Sequence, residues 1–580
     1  MDHEWHIAPR WAGRDEAAVS LGVSPIVAQI LYNRGICELE DARLFLEPKL
    51  SGLSEPEEYE DLPAAAGLIR AAITDGRPIV VYCDYDVDGV CGAAILWHVL
   101  RQAGGKPRVY IPHRVEEGYG LSSEAVDKLA DEGSRLLVTV DCGIRDHRAV
   151  ARANERGMTV IVTDHHEPGE ALPSASAVVH PQRRSEVSGR GNGSANLCGA
   201  AVAFKLAWAV ARAVSGGGRV EDGFREMLVD LTSLVALATI ADVVPLLGEN
   251  RILARFGLER IPQTKLVGLR ALLDSAKITG SRVDSYHVGF VLGPRLNAAG
   301  RMGHAKEAFE LLTVGDRQRA EDLAGYLDRQ NRRRQKLEEQ ITAEAVELAE
   351  SQGQLTDETP LLVLAKDGWH VGVIGIVASK LVEKFRRPVV MIALDGGRGQ
   401  GSARSVEGFD INQALERCGE HLLGYGGHAM AAGLQIESGR VIPFMQSLHR
   451  HGLAHLAGPS RPVVRIDAEV GPEMIESPFV WQLQRLGPFG HGNPRPTLSG
   501  DVAELVGEPR LVGNGGRHLS FSVRWGQRVF RAIAFNQAEA REMLLDCRRC
   551  RLAFEPIIDE YLGPQAVQLR VKAIRPARSG

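Results

Sequence analysis

The stretch Ile79-Val-Val-Tyr-Cys-Asp84-Tyr-Asp86-Val-Asp88-Gly89 sets a short β-branched run directly against three alternating carboxylates. Ile79–Cys83 reads as a strand, and a helical pattern, Ala93–Gln102, follows it. The motif recurs. Leu136–Val140 runs into Asp141-Cys-Gly143, with a helical pattern at His147–Arg156 behind it, and Met158–Thr163 runs into Asp164-His165-His166. Strands alternating with helices predict a parallel sheet of βαβ units. Open parallel sheets bind ligands beyond the carboxyl ends of their strands, so three strands deliver Asp or His to one edge. A fourth acidic position, Asp242, interrupts the otherwise apolar Thr239-Ile-Ala-Asp-Val-Val-Pro245, where a charge is costly without a partner.

Any one of these aspartates could simply cap the next helix. Together they converge, and several carboxylates at short range repel one another by several kcal/mol. Divalent cations relieve that repulsion. Oxygen-rich ligands with one or two imidazoles suit Mn²⁺ or Mg²⁺, whereas zinc would more often show thiolates. The ligands outnumber the needs of one octahedral ion. Two ions ~3.5–4 Å apart are therefore expected, the arrangement that serves phosphoryl transfer.

The chain has 580 residues, 44% hydrophobic and 24% charged, which suits three or four globular domains and excludes a disordered or disulfide-stapled chain. No run approaches a membrane span, and the N-terminus has no leader-like core, so a cytoplasmic protein is expected. Net charge is −5, unlike a protein that coats DNA nonspecifically. Glycine, at 63 residues, exceeds the usual ~7%, as many anion-binding turns would require. Of eight cysteines, Cys547 and Cys550 form an isolated C-x-x-C with no second pair to complete a zinc ribbon. There is no Gly-x-x-x-x-Gly-Lys-[Ser/Thr] loop for an ATP-driven motor and no Gly-x-Ser-x-Gly elbow.

Five units are expected along the chain. Residues 1–60 read as an N-terminal helical segment and 61–315 as the catalytic α/β lobe. Within that lobe 185–196 is a glycine- and serine-rich loop and 199–275 is mainly helical. Residues 316–350 form a long linking helix, whose Arg329–Lys336 holds five basic residues in eight, either a solvated face or a phosphate-tracking surface. A second α/β unit occupies 351–458, with strands Leu361–Ala365 and Val389–Leu394 and a helix Val373–Phe385. From 459 to 580, short alternating runs such as Val463–Ile466, His518–Val523 and Val567–Val571 predict a small β-barrel.

The order Asp84–Gly89, Asp141-Cys-Gly, Asp164-His165-His166 and Ala241-Asp242-Val-Val-Pro resembles the DHH phosphoesterase superfamily. Further motifs narrow this to its RecJ family of single-strand-specific exonucleases. They are Arg114-Val-Glu-Glu-Gly-Tyr119-Gly-Leu, Gly293-Pro-Arg295-Leu-Asn297-Ala-Ala-Gly-Arg301-Met, Trp369-His370-Val-Gly-Val-Ile-Gly375, Gly401-Ser-Ala-Arg404-Ser405, Gly426-Gly427-His428-Ala-Met-Ala-Ala-Gly433 and Leu486-Gly-Pro-Phe-Gly-His-Gly-Asn-Pro494.

The resemblance implies two α/β lobes, a DHH domain with a parallel sheet and a DHH-associated domain, joined by a long helix and followed by an oligonucleotide-binding β-barrel. It implies a Mn²⁺- or Mg²⁺-dependent exonuclease that degrades single-stranded DNA from the 5′ end to mononucleotides, in DNA repair and recombination. Metal ligands would be Asp84, Asp86, Asp88, Asp141, His165 and Asp242, with His166 beside the scissile phosphate. Arg114, Arg295, Asn297 and Arg301 would hold backbone phosphates. His370, Arg404, Ser405 and the turn Gly426-Gly427-His428 would contact the nucleotide from the second lobe, and Tyr119 would stack or pack. A monomer is expected, with a single-strand-binding protein and a helicase as partners. The chain departs from the family pattern at Gly303-His304-Ala305, where acidic residues are usual, and at His180, where asparagine is usual.

Read from the residues alone, alternatives stand. Arg295 and Arg301 could pair with local acids, His370 could cap a helix, and His428 could be a buried histidine. The same core could serve a hydrolase of small substrates (nano-RNA, a cyclic dinucleotide or pyrophosphate), or a catalytically dead DNA-binding scaffold.

Overall fold

In the computed structural model, residues 3–577 are described, except 115, 184–195, 279, 281, 457–461, 560 and 561. The glycine- and serine-rich loop expected at 185–196 therefore lies outside the described residues, apart from Asn196. Strands Arg108–Tyr110, Ile79–Cys83, Leu136–Val140, Thr159–Thr163 and Ala177–Val179 lie side by side in that order, all parallel. Every residue of Ile79–Cys83 and Leu136–Val140 is buried, as β-branched central strands covered by helices on both faces must be. Numbered along the chain, the order is 2-1-3-4-5, so the topology switches direction between Ile79–Cys83 and Leu136–Val140. A crevice opens at such a switch point.

The region 199–275 is helical as expected, in Gly199–Val214, Asp222–Ala241, Gly248–Arg260 and Val267–Ser275. One helix begins earlier than expected. It runs Val87–Gln102, with Asp86 as its N-cap, so Asp88 lies inside the first turn. The linking helix spans Arg317–Ser351. Within its basic segment, Arg332 pairs with Asp328 (2.8 Å) and Arg334 with Glu338 (2.8 Å).

The second lobe is a mixed sheet. Leu362–Asp367 and Val389–Asp395 are parallel, and Arg398–Arg404, Ala431–Glu437 and Leu422–His428 continue antiparallel to the edge. The segment expected as a turn at Gly426–His428 is thus the end of an exposed edge strand.

Five strands close the barrel: Ala503–Val512, His518–Trp525, Arg528–Ala534, Val567–Pro576 and Arg549–Ile558, the last pairing with both its neighbours in the ring. Val463–Ile466 is not a barrel strand. It pairs in parallel with Glu4–Ile7, a strand the helical reading of the N-terminus omits. Nor is that N-terminal segment separate. Ile26, Ile30, Leu31, Phe45 and Leu46 are buried in one core with Phe479, Leu486, Trp525 and Phe554 of the barrel module. Cys547 and Cys550 are free thiols. Among the described residues, no helix is long and apolar enough to cross a membrane.

Candidate metal centre

Strand register brings the carboxylates to a common height. Cys83 pairs with Val140, so Asp84 and Asp141 leave adjacent strands side by side. The Asp141 N–H donates to Thr163 O (3.0 Å), which places Asp164 next along the edge. Asp141 itself is left-handed, with φ 62°, a conformation costing about 1–3 kcal/mol in a residue other than glycine. Opposite it, helix Gly199–Val214 begins. A Cβ on Gly199 would lie 2.7 Å from Asp141 Oδ1, so only glycine admits this approach. The same helix start holds Asp88. Its two oxygens accept from Gly199 N (2.6 Å) and Ala200 N (2.7 Å), at the end where the helix dipole favours an anion. Asp86 caps its own helix through Asp88 N (2.8 Å) and Gly89 N (3.1 Å).

His165 stands at the centre. Its Nε2 lies 3.1 Å from Asp141 Oδ1, 3.6 Å from Asp242 Oδ2 and 3.7 Å from Asp88 Oδ2. Two separate ligand sets result, Asp84–Asp86–Asp141 and Asp88–His165–Asp242, each with atoms close enough to share an ion. His166 adds a further group with Asp141 and His165.

The electrostatics are those of a cation site. Among the described residues, no lysine or arginine forms an ion pair with Asp84, Asp86, Asp88, Asp141 or Asp242. Burial, then the charge of Asp86, pushes Asp84 well above the carboxylate range. Burial, then Asp88 and its neighbours, does the same to Asp141. Burial and Asp88 raise Asp242 to about 9. Asp88 rises only to about 6, because the Ala200 and Gly199 N–H groups oppose burial and Asp86. Burial, aided by His166, lowers His165 to about 4, the neutral form that ligates metal. Asp84 Oδ1, Asp141 Oδ1 and His165 Nε2 are buried and make no hydrogen bond among the described residues. Orphaned acceptors of this kind fit hard divalent cations.

The signature's Asp164 is not a ligand but an orienting group. It accepts from His165 N (2.7 Å), His166 N (3.1 Å), His166 Nδ1 (2.8 Å) and Ile144 N (2.9 Å). Burial works to lower the His166 pKa, but the bond to Asp164 and its charge outweigh burial and raise it. His180, buried, donates from Nε2 to His166 O (2.9 Å) while its Nδ1 accepts from Gln182 N (3.3 Å). Its bridging role depends on spatial partners that local sequence does not show. Tyr119 donates to Asp141 O (3.1 Å) and lies 3.0 Å from His166 Nδ1, so its hydroxyl anchors the site while the residue stays 52% exposed.

The expected phosphate contacts divide. Arg114 lies over the Tyr85 ring at 4.8 Å. Burial and then Arg114 depress both Arg301, to about 10, and Arg404. These three arginines crowd one another, and among the described residues none has a carboxylate ion pair. Arg301 Nη1 reaches Gly372 O (3.2 Å), where the two lobes touch.

Arg295 is different. It is committed to Asp328 (3.0 Å) and Val291 O (2.7 Å), so it pairs with an acid, though one distant in sequence. Asn297 Oδ1 accepts from Val87 N (3.2 Å), and His370 caps helix Val371–Phe385 through Gly372 N (3.1 Å). Ser405 is buried, and its hydroxyl donates to Phe409 O (2.6 Å). Gly426, Gly427 and His428 are exposed, so His428 is not a buried histidine.

Residues 78–239 match the DHH family, N-terminal domain, 358–450 the DHHA1 domain, and 466–573 the RecJ OB domain. The single-stranded-DNA-specific exonuclease RecJ of Dickeya dadantii (strain 3937) is 38% identical over 571 residues, covering 95% of this chain and 96% of the relative. The crystal structure of RecJ in complex with Mn²⁺ from Thermus thermophilus superposes with TM-score 0.83 at 32% identity, over 99% of this chain and 80% of that one. The Mg²⁺ complex from the same source superposes with TM-score 0.77 at 30% identity, over 99% and 79%.

Proposed function

Because the chain belongs to the RecJ family of single-stranded-DNA-specific exonucleases, we propose that its strand-end cluster holds two divalent cations and cleaves the terminal phosphodiester of a single strand from the 5′ end. The activity is that of a single-stranded-DNA-specific exonuclease, a hydrolase dependent on Mn²⁺ or Mg²⁺. The observation that carries the mechanism is the set of buried ligand atoms on Asp84, Asp141 and His165 that, among the described residues, find no hydrogen bond.

Asp84, Asp86 and Asp141 would hold one cation, and Asp88, His165 and Asp242 the other. When bound, the pair supplies an activated water and neutralises the leaving oxygen. The remaining work falls to the protein. Gly199 and Ala200 fix both oxygens of Asp88, so its ligand geometry is set before substrate arrives. Asp164 and His180 fix the His166 ring and backbone, and His166, its pKa raised, donates to the phosphate under attack. Arg114, Arg301 and Arg404 gather phosphate charge, as guanidinium forks do.

Five working units share the task. A catalytic lobe at 61–315, a linking helix at 316–350 and a second lobe at 351–458 enclose the cluster. The barrel at 459–580, seated on residues 1–60, gathers the strand. A hydrolase of small substrates needs only the lobes.

The test is Asp141→Ala with 5′-labelled single-stranded DNA and Mn²⁺. Loss of cleavage by at least about 10²-fold is expected, since one of the three side chains that would hold that cation is gone. Undiminished cleavage refutes the metal assignment.

A further inference from the structure

The motif Leu486-Gly-Pro-Phe-Gly-His-Gly-Asn-Pro494 has no part in the chemistry described above, yet it packs on Pro245 and Leu246, just beyond Asp242 in the chain. The metal ligand Asp242 is the C-cap of helix Asp222–Ala241, where the helix dipole disfavours a carboxylate. The next residue, Val243, is left-handed with φ 60° and 61% exposed, a strained conformation for a β-branched side chain. The local backbone closes the turn only through Asp242 N to Ala238 O (2.8 Å) and Val243 N to Ile240 O (3.3 Å), so a strained valine there gains from bracing by its neighbours.

The bracing contacts come from the loop. Leu246 N donates to His491 O (2.9 Å). Gly492, at φ +69°, lies against Pro245, where a Cβ would stand 3.0 Å from the proline's own Cβ. The loop is itself closed. Gly490 and Asn493 exchange backbone bonds of 3.0 and 3.1 Å, and the fully buried Asn493 donates to Leu486 O (2.8 Å) and Pro488 O (2.7 Å). Arg251, buried and with no carboxylate ion pair among the described residues, ties Leu486 O (2.9 Å) to Phe45 O (2.9 Å) of the N-terminal segment. From the other side, Asn250 Nδ2 donates to Pro245 O (3.1 Å).

We propose that this loop, through Gly492, Asn493 and the His491 carbonyl, positions Asp242 for cation binding and so couples the seating of the barrel to occupancy of the metal centre. Gly492 and Asn493 are positioning residues and touch no substrate. The inference rests on the reading of Asp242 as a ligand.

Calorimetric titration of the metal-free full-length protein with Mn²⁺ tests both, with Asp242→Asn, Gly492→Ala and Gly507→Ala compared with the parent. Gly507 is a barrel glycine at φ +73° with nothing within 4 Å of where a Cβ would stand, so it carries the same backbone strain without the contact. Gly492→Ala should weaken Mn²⁺ binding about tenfold, the usual effect of disturbing a group behind a ligand. Turnover should return at saturating Mn²⁺, and Gly507→Ala should bind as the parent. Should Gly492→Ala not fold, Asn493→Ser opens the same loop and should show the same weakening. If these loop variants bind Mn²⁺ like the parent while Asp242→Asn does not, or if Gly507→Ala weakens binding equally, the coupling is overturned. If Asp242→Asn also binds like the parent, the ligand reading of Asp242 is what fails.

Discussion

At Asp141 three unfavourable features coincide: a left-handed backbone, near-complete burial and four carboxylates acting on its charge. Folding alone gains nothing from that combination, and a bound cation reverses its sign. Gly199→Ala should therefore act as a metal mutation. Its new methyl group meets Asp141 at 2.7 Å, and the expected result is Mn²⁺ affinity lower by about tenfold or more, with secondary structure retained.

The pH dependence follows from the same groups. Asp242 in the folded protein titrates at about 9 against an ordinary 3.8, and Asp84 and Asp141 are also raised. Above pH ~4 the unfolded chain has released protons that the metal-free fold still holds, so stability falls as pH rises towards 9. Cations displace those protons. The gain in melting temperature on adding Mn²⁺ should thus be larger at pH 8.5 than at pH 6, and equal gains would contradict it.

At the scale of elements, the linking helix Arg317–Ser351 separates two kinds of arginine. Arg295 binds Asp328 within it, so Arg295→Met should lower thermal stability by about 1–3 kcal/mol with KM for single-stranded DNA unchanged. Among the described residues Arg404 bonds only to Ser402 Oγ and Ala403 O, so Arg404→Ala should raise KM several-fold with little loss of stability. Steady-state kinetics beside thermal melts would expose an exchange of these two behaviours.

That contrast also marks what the sequence could disclose. The candidate ligands were legible because the strands Ile79–Cys83, Leu136–Val140 and Thr159–Thr163 run straight into Asp or His, and because Asp242 interrupts an otherwise apolar stretch. The role of Arg295 was not, since its acid lies 33 residues away on a partner that only the fold brings near. The antiparallel half of the second sheet was equally hidden. Arg398–Arg404 reads RGQGSAR, with no β-branched residue. Its glycines are packing positions, as a Cβ on Gly399 would sit 2.7 Å from Ile392.

Across the whole molecule, the N-terminal segment and the barrel share one core although they lie over 400 residues apart. Parallel pairing of Glu4–Ile7 with Val463–Ile466 closes the chain on itself, a contact no local pattern encodes. Deleting residues 460–580 should consequently expose Ile26, Ile30, Leu31 and Phe45, and limited proteolysis should then cut within 14–46, where the full chain resists.

The central claim is the convergence of Asp84, Asp86, Asp88, Asp141, His165 and Asp242 on two cations. Anomalous diffraction from crystals grown with Mn²⁺ measures it directly. Two peaks about 3.5–4 Å apart, each within coordination distance of its three side chains, are the expected result. Absence of any peak there, with Mn²⁺ bound elsewhere, would contradict it.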